Sequence, residues 1–251
     1  MITDALQKAD TQQLKTLWKE AFGDPEEFID TFFEIAYSPD RCRFVMMDGQ
    51  LAAALYWLDC SLGEEKLAYI YAVATAKAFQ GRGLCRKLME LTHRDLKTMG
   101  YGGAVLVPGS ESLFRMYGKM GYGVCATVRE WDCTAGQEPA AMSRLTEGEY
   151  AALRRRLLPK GGVIQEGESI SYLAAYAQLC GGDDFCAALV RDGDRVYCAE
   201  LLGNADLAPA ILAALGAKTG RFRTPGNEKP FAMYHPLNGN RAPDYFGLAF
   251  D

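Results

Sequence analysis

Residues 69–75 read YIYAVAT, and residues 79–88 read FQGRGLCRKL. The first run is apolar, β-branched and aromatic, which predicts a strand. The second places a glycine pair around an arginine and then continues in a helical pattern, so the backbone can come close to a ligand. The first turn of such a helix offers unpaired N–H groups at the positive end of the helix dipole. Strand, glycine loop and helix start together predict an anion site, most simply for a pyrophosphate.

Three families of phosphate-binding loop could use this unit, and an ordinary glycine-rich turn is the alternative to all of them. A Walker loop needs Gly-x-x-x-x-Gly-Lys-Ser/Thr, which is absent from the unit. A dinucleotide fingerprint needs a third glycine at position 86, where the chain has Arg86. The remaining candidate is the acyl-CoA loop Gln/Arg-x-x-Gly-x-Gly/Ala of the GNAT (GCN5-related) N-acetyltransferases. Residues 80–85, QGRGLC, resemble it, with Cys85 in the sixth place.

A second segment supports the same resemblance. Residues 102–108, GGAVLVP, predict a buried strand, and residues 110–123 read SESLFRMYGKMGYG. The latter is similar to the GNAT helix that carries a tyrosine followed by a Gly-Phe/Tyr pair. The pattern VAT before the loop and MYGKMGYG after it is closest to the Eis-type acetyltransferases. The resemblance covers about residues 11–133.

The resemblance implies a fold, a cosubstrate and a set of site residues. The fold is the GNAT acyl-CoA N-acyltransferase fold, an α/β structure with a mixed sheet. The cosubstrate is acetyl-CoA, and the reaction is acetyl transfer to a primary amine of a small molecule or peptide. The strand next to the loop is expected to contact the pantetheine arm and the carbonyl through Val73 and Thr75. The residues expected around the pyrophosphate are Gln80, Gly81, Arg82, Gly83, Leu84 and Cys85.

By the same resemblance, Tyr117 is the candidate general acid for the leaving thiolate. A phenol with a pKa near 10 is protonated at neutral pH and can donate; a packed helix aromatic is the other interpretation. The general base is not identified, because the strand over residues 69–74 contains no carboxylate. Eis-type proteins direct their C-terminal carboxylate into the site, which would be that of Asp251, and deprotonation through water is the alternative.

Periodicity and turn signals predict the remaining elements. The predicted helices cover residues 12–22, 83–99 and 110–120, and another begins after Asp24 as cap and Pro25 as first residue. The predicted strands cover residues 43–47, 51–59, 66–74, 103–107 and 122–133. Helices on both faces of a mixed sheet follow from this order. In GNAT proteins the first helix pair often lines the acceptor pocket.

Residues 134–139 read as a linker, and the pattern partly recurs after it. Helices are predicted over residues 146–157, 170–180 and 205–215. Strands are predicted over residues 185–190 and 195–201, around Phe222, and over residues 231–235 and 245–250. The glycine loop has no counterpart in this half. We therefore predict two domains: residues 1–134, catalytic and binding acetyl-CoA, and residues 140–251, a degenerate GNAT-like domain.

Composition narrows the class of protein. The 251 residues carry a net charge of −5, and the only basic run is residues 154–156, so nucleic-acid binding is not indicated. No apolar run reaches the roughly 18 residues of a membrane span, and the N-terminus has no signal-peptide core. The eight cysteines lack Cys-x-x-Cys spacing, so no metal site is expected. A reducing cytoplasm fits these features, and the oligomeric state, a homo-oligomer included, stays open.

The leading interpretation is a cytoplasmic acetyl-CoA-dependent N-acetyltransferase without a metal. The alternative is a non-enzymatic acyl-CoA-binding or sensory module whose second domain binds a partner. Both keep the glycine loop, and only the enzyme needs Tyr117 and an open acceptor cleft. A Rossmann-type oxidoreductase is disfavoured by Arg86.

Overall fold

The computed structural model describes residues 10–239 and 241–250. These residues form seven α-helices: α1 Thr11–Phe22, α2 Glu26–Ile35, α3 Leu84–Thr98, α4 Glu111–Gly118, α5 Glu147–Leu157, α6 Glu168–Tyr176 and α7 Ala208–Leu215. They also form eleven strands: β1 Cys42–Met47, β2 Gln50–Leu62, β3 Glu65–Thr75, β4 Gly103–Leu106, β5 Gly123–Thr134, β6 Ser143–Arg144, β7 Gln178–Gly181, β8 Phe185–Asp192, β9 Arg195–Gly203, β10 Thr219–Pro225 and β11 Lys229–Pro236.

The described strands form one sheet in the order β1-β2-β3-β4-β11-β5-β10-β9-β8-β7-β6. Two neighbouring pairs, β3 with β4 and β9 with β10, run parallel. The other pairs run antiparallel. Each parallel pair is connected through a helix, α3 or α7, because parallel neighbours need a crossover. The predicted mixed α/β sheet is confirmed.

The order of elements repeats along the chain. The first half runs α1, α2, β1, β2, β3, α3 and β4, and the second half runs α5, α6, β7, β8, β9, α7 and β10. The last strand of each half, β5 or β11, pairs with a strand of the other half. β11 lies between β4 and β5, and β5 in turn pairs with β10. A strand from the end of the chain therefore completes the sheet beside β4.

Strand β2 shows how the first half is layered. It is buried along most of its length, as a strand covered on both faces must be. Tyr56 packs on Trp18 of α1, with ring centroids 5.5 Å apart. The next residue, Trp57, points to the opposite face, where Arg43 covers its ring and binds Asp95 of α3. Helices α1 and α3 therefore lie on opposite faces of the sheet.

One predicted cap is wrong. Asp24 does not cap α2, which has no side-chain cap at its N-terminus. Its Oδ2 instead accepts a hydrogen bond from Trp18 Nε1 at 2.7 Å. The hydrogen bond from Trp18, six positions earlier in the chain, therefore holds the carboxylate that was predicted to cap α2.

Two predicted elements differ as well. The helix predicted over residues 170–180 ends at Tyr176, and Gln178–Gly181 form β7, because pairing with β8 outweighs the helical pattern. Residues 245–250 form no strand. A single bridge joins Tyr245 to Gly162, and the remainder runs through the interior as irregular chain.

Candidate active site

The parallel strands β3 and β4 separate before β3 ends. The last residues paired between them are Tyr69 and Val105, whereas β3 continues to Thr75. A cleft of about 1400 Å³ opens at this divergence. Its walls come from the end of β3, the loop before α3, helix α4, the α1–α2 connection and the last residues of the chain.

A β-bulge marks β3 at the cleft. Ala72 has a φ of 48°, a left-handed value that is uncommon for a residue with a Cβ. The pairing of β2 with β3 shifts at the same place, between Ala54 and Tyr56. Bulges bend a strand and leave backbone groups unpaired. Val73 and Thr75, the residues predicted to contact pantetheine, line the cleft directly after the bulge.

The glycine loop leads from the end of β3 to the start of α3. Gly81 and Gly83 have φ values of 75° and 73°, and Gly83 is the N-cap of α3. No side chain caps this helix. The N–H groups of its first turn therefore remain available to an anion. Gln80 Nε2 donates to the Thr75 carbonyl at 3.2 Å, which ties the loop to β3.

The structure brings most of the predicted loop residues into the cleft wall. Those that line it are Gln80, Gly81, Gly83, Leu84 and Cys85. Arg82 does not line it. Its guanidinium donates to the Ala78 carbonyl at 3.1 Å and lies 5.2 Å from the ring centroid of Phe79.

Tyr117 lies near the C-terminus of α4 and lines the cleft, with 6% of its surface exposed. Burial raises the pKa of its phenol well above the ordinary value near 10, and the neighbouring Cys85 thiol adds to the shift. The phenol is therefore protonated at neutral pH. A donor of a proton to a thiolate has to be in this state.

A stack of rings supports Tyr117 from behind. Tyr122 packs edge-on against it, with ring centroids 5.8 Å apart. Tyr122 Oη is 2.7 Å from His93 Nε2, and the His93 ring stacks on that of His235 at 4.2 Å. Burial, with a smaller contribution from the neighbouring His235, lowers the pKa of His93 to about 3.

Aromatic side chains form the wall of the cleft on the α1–α2 side. They are Trp18, Phe22, Phe28, Tyr71 and Phe250. Asp24 lies among them, held by Trp18. The sequence indicated the helix-pair residues but not the contact between Tyr71 and Phe250. Tyr71 Oη donates to the Phe250 carbonyl at 2.8 Å across 179 positions, which no local pattern reveals.

A group of charged residues at the cleft, with its two cations from the second half, was not predicted from the sequence. Glu130 of β5 accepts hydrogen bonds from Arg223 Nε at 2.8 Å and Lys229 Nζ at 2.7 Å. Burial alone would raise the pKa of Glu130, but these two cations lower it. Arg223, Lys229 and Phe231 line the cleft. The exchange of β11 brings Lys229 and Phe231 there, and Arg223 comes from β10, which pairs with β5.

The general base stays a prediction. Asp251 lies outside the described residues, although the preceding Phe250 reaches the cleft. Among the described residues, the carboxylates that line the cleft are Asp24 and Glu111. Glu111 is exposed and lies 3.6 Å from Arg115.

Three further findings concern the described part of the chain. It contains no group of three or more His, Cys, Asp or Glu residues placed to hold a metal ion. None of its helices has both the length and the apolar character needed to cross a membrane. All eight cysteines are free thiols.

Comparison with known proteins identifies a domain and a fold. The family model described as an acetyltransferase (GNAT) domain matches residues 3–125. No curated protein matches the chain in sequence. Among solved structures, Eis1 from Mycobacterium abscessus is similar, with a TM-score of 0.67 and 14% identity, over 92% of this chain and 72% of that one.

Two other structures have the same fold. A GCN5-related N-acetyltransferase from Anabaena variabilis gives a TM-score of 0.68 at 16% identity, over 92% of this chain and 72% of that one. Another from Sphaerobacter thermophilus gives 0.56 at 12% identity, over 98% of this chain and all of that one. At these identities the likeness establishes the fold alone.

Proposed function

Because this chain carries a GNAT acetyltransferase domain, we propose that it transfers the acetyl group of acetyl-CoA to a primary amine of a small molecule or peptide. We also propose that residues 1–134 form the catalytic domain and that residues 140–251 form a degenerate GNAT-like domain. The free cysteines agree with a cytoplasmic location.

One observation carries the proposal: the diverging end of β3, the uncapped start of α3 and Tyr117 all line a single cleft. A pyrophosphate fits the start of α3, because the N–H groups there have no side-chain partner. The pantetheine arm fits the bulged end of β3, where the backbone groups are no longer paired with β4. Together these features suit an extended molecule such as acetyl-CoA.

The chemistry then assigns roles to named groups. The amine nitrogen forms a bond to the thioester carbon, and the C–S bond breaks. Backbone N–H groups near Val73 stabilise the negative charge that develops on the carbonyl oxygen. The departing sulfur takes a proton from the Tyr117 hydroxyl, and the amine loses one proton to a base, which is water or Asp251.

The opposite wall suits the acceptor. Phe28 and Tyr71, which are partly exposed, offer ring surface on which the apolar part of an amine can pack. Asp24 supplies one carboxylate within that wall. We therefore expect acceptors that combine an ammonium group with apolar or aromatic surface, because aromatic faces attract cations.

The test is release of the CoA thiol from acetyl-CoA in the presence of a panel of amines. We expect release that depends on the amine in the wild-type chain and is lost in Gly83→Glu, which adds a negative charge where the phosphates bind. The matched control is Gly63→Glu, which places the same side chain at a positive φ of 62° in the turn between β2 and β3.

Equal loss in both variants would reflect backbone strain alone and would contradict the phosphate site. Binding of acetyl-CoA without any amine-dependent release would favour the non-enzymatic acyl-CoA-binding or sensory module instead.

A further inference from the structure

The second half has its own divergence between parallel strands. The last residues paired between β9 and β10 are Cys198 and Phe222, whereas β9 continues to Gly203. In the first half the equivalent divergence opens the cleft. Here, two residues beyond Cys198, the strand carries Glu200, whose side chain is fully buried.

Glu200 forms a bidentate ion pair with Arg154 of α5. Arg154 Nε is 2.6 Å from Glu200 Oε2, and Nη2 is 3.0 Å from Oε1. Burial alone would lower the pKa of the guanidinium, but the carboxylate beside it raises that pKa, so Arg154 keeps its charge. Buried ion pairs are often no more stable than apolar residues of similar volume. Stability alone therefore does not account for this pair.

A third group connects the pair to the end of the chain. Tyr245 Oη donates to Glu200 Oε1 at 2.9 Å, and Tyr245 is itself fully buried. Gly247 lies directly against this hydrogen bond. A Cβ at that position would overlap both the Tyr245 hydroxyl and the Glu200 carboxylate. The backbone of the last residues thus passes close to the ion pair.

Between Tyr245 and the cleft, the backbone of the chain is held by a series of hydrogen bonds. The Val163 N–H donates to the Tyr245 carbonyl at 2.8 Å, and Gln165 Nε2 donates to the Leu248 carbonyl at 2.8 Å. Tyr71 then binds the Phe250 carbonyl. The segment formed by residues 245–250 is fixed at one end by the ion pair and forms part of the cleft wall at the other.

We propose that Glu200 is a positioning residue for acetyl transfer. Through Tyr245 it holds residues 245–250 as the wall against which the acceptor amine lies. The proposal rests on the function proposed above for the cleft. Displacement of a reacting group by about 1 Å can reduce a rate about 100-fold, so a distant anchor can matter to the reaction.

The experiment compares Tyr245→Phe with Tyr150→Phe. Tyr150 lies on α5 near Glu200 and is equally buried, but its hydroxyl has no hydrogen-bond partner among the described residues. Both variants remove one hydroxyl beside the same ion pair, and only the first disconnects the segment. Steady-state kinetics with an active amine, titration with CoA and hydrogen–deuterium exchange of residues 245–250 are measured for both.

We expect Tyr245→Phe to lower kcat/KM for the amine about 10-fold or more, to leave the CoA affinity within about twofold, and to speed exchange in residues 245–250. Tyr150→Phe should change none of these. Wild-type kinetics and exchange in Tyr245→Phe, or equal losses in both variants, would overturn the proposal. A wild-type chain without turnover would refute the proposed function, and the exchange data alone would still decide whether Glu200 holds the segment.

Discussion

At the scale of single residues, Tyr117 carries the most specific chemical claim. Its hydroxyl lies in a cleft wall beside Cys85, and burial raises its pKa above 10. A phenol with a raised pKa keeps its proton into alkaline solution. The rate should therefore show no loss from deprotonation of this acid up to pH 10.

Replacing Tyr117 with Phe keeps the ring and removes only the proton donor. We expect kcat to fall about 10²- to 10⁴-fold, the usual contribution of a placed general acid. The melting temperature and the affinity for CoA should stay close to wild type, because the ring continues to pack on Tyr122. Steady-state kinetics run beside a thermal melt provide the measurement.

The matched control is Tyr234→Phe, which removes another buried hydroxyl, one that donates to the Gly102 carbonyl. Its kcat should stay near wild type. The free energy of unfolding of this variant is compared directly with that of Tyr117→Phe. Full turnover in Tyr117→Phe would remove Tyr117 from the mechanism.

Where a motif is local, the sequence indicates which residues lie close together, and their roles stay predictions. The loop residues and Tyr117 belong to contiguous stretches, so their placement along one cleft follows from the order of strand, loop and helix. Arg82 does not line the cleft, and its guanidinium instead binds the Ala78 carbonyl and lies over the Phe79 ring. Phe250 could not be predicted, since its contact with Tyr71 depends on the path of the whole second half.

At the scale of elements, helix α3 is joined to strand β11 by the two histidines. His93 on α3 stacks on His235 of β11, and its pKa is lowered to about 3 by burial and by that neighbour. The unfolded chain has a histidine pKa near 6.5. As the pH falls below 6.5, the unfolded state takes up a proton that the folded state does not bind. The fold therefore loses stability towards pH 3.

We expect His93 to lower the free energy of unfolding by up to about 1.4 kcal/mol for each pH unit between pH 6 and pH 4. Other groups titrate in the same range, so the measurement is the difference between wild type and His93→Gln. Chemical denaturation at several pH values provides it. The wild-type curve should be steeper, and parallel curves would show that His93 is protonated in the fold.

Element-level prediction failed where long-range pairing decides. The apolar pattern over residues 170–180 is compatible with a helix, but Gln178–Gly181 complete the sheet beside β8. The pattern over residues 245–250 suits a strand, yet the segment makes only a single bridge, between Tyr245 and Gly162. Its backbone is instead held by Val163, Gln165 and Tyr71.

At the scale of the whole molecule, two similar halves share one sheet by exchanging their closing strands. The sequence pattern predicted the recurrence, but not that β11 would lie between β4 and β5, because that pairing joins residues more than 100 positions apart. The exchange brings Lys229 and Phe231 to the cleft of the first half. In the second half, the corresponding region holds the ion pair between Arg154 of α5 and Glu200 of β9.

A chain with one open divergence should bind one CoA. The second half lacks the glycine pair after β9, where residues 203–206 read GNAD. We expect calorimetric titration to give a stoichiometry of one CoA per chain, and Gly83→Glu to abolish that single site. Two sites per chain, or a site that persists in the variant, would show that the second half binds CoA as well.

The central claim is that this cleft moves an acetyl group from CoA to an amine. The most direct measurement follows isotopically labelled acetyl from acetyl-CoA into amines by mass spectrometry, with wild type, Gly83→Glu and Gly63→Glu in parallel. We expect N-acetylated product that carries the label from wild type and Gly63→Glu, and none above background from Gly83→Glu. Binding of acetyl-CoA with no labelled amine across the panel, or equal labelling by Gly83→Glu, would contradict it.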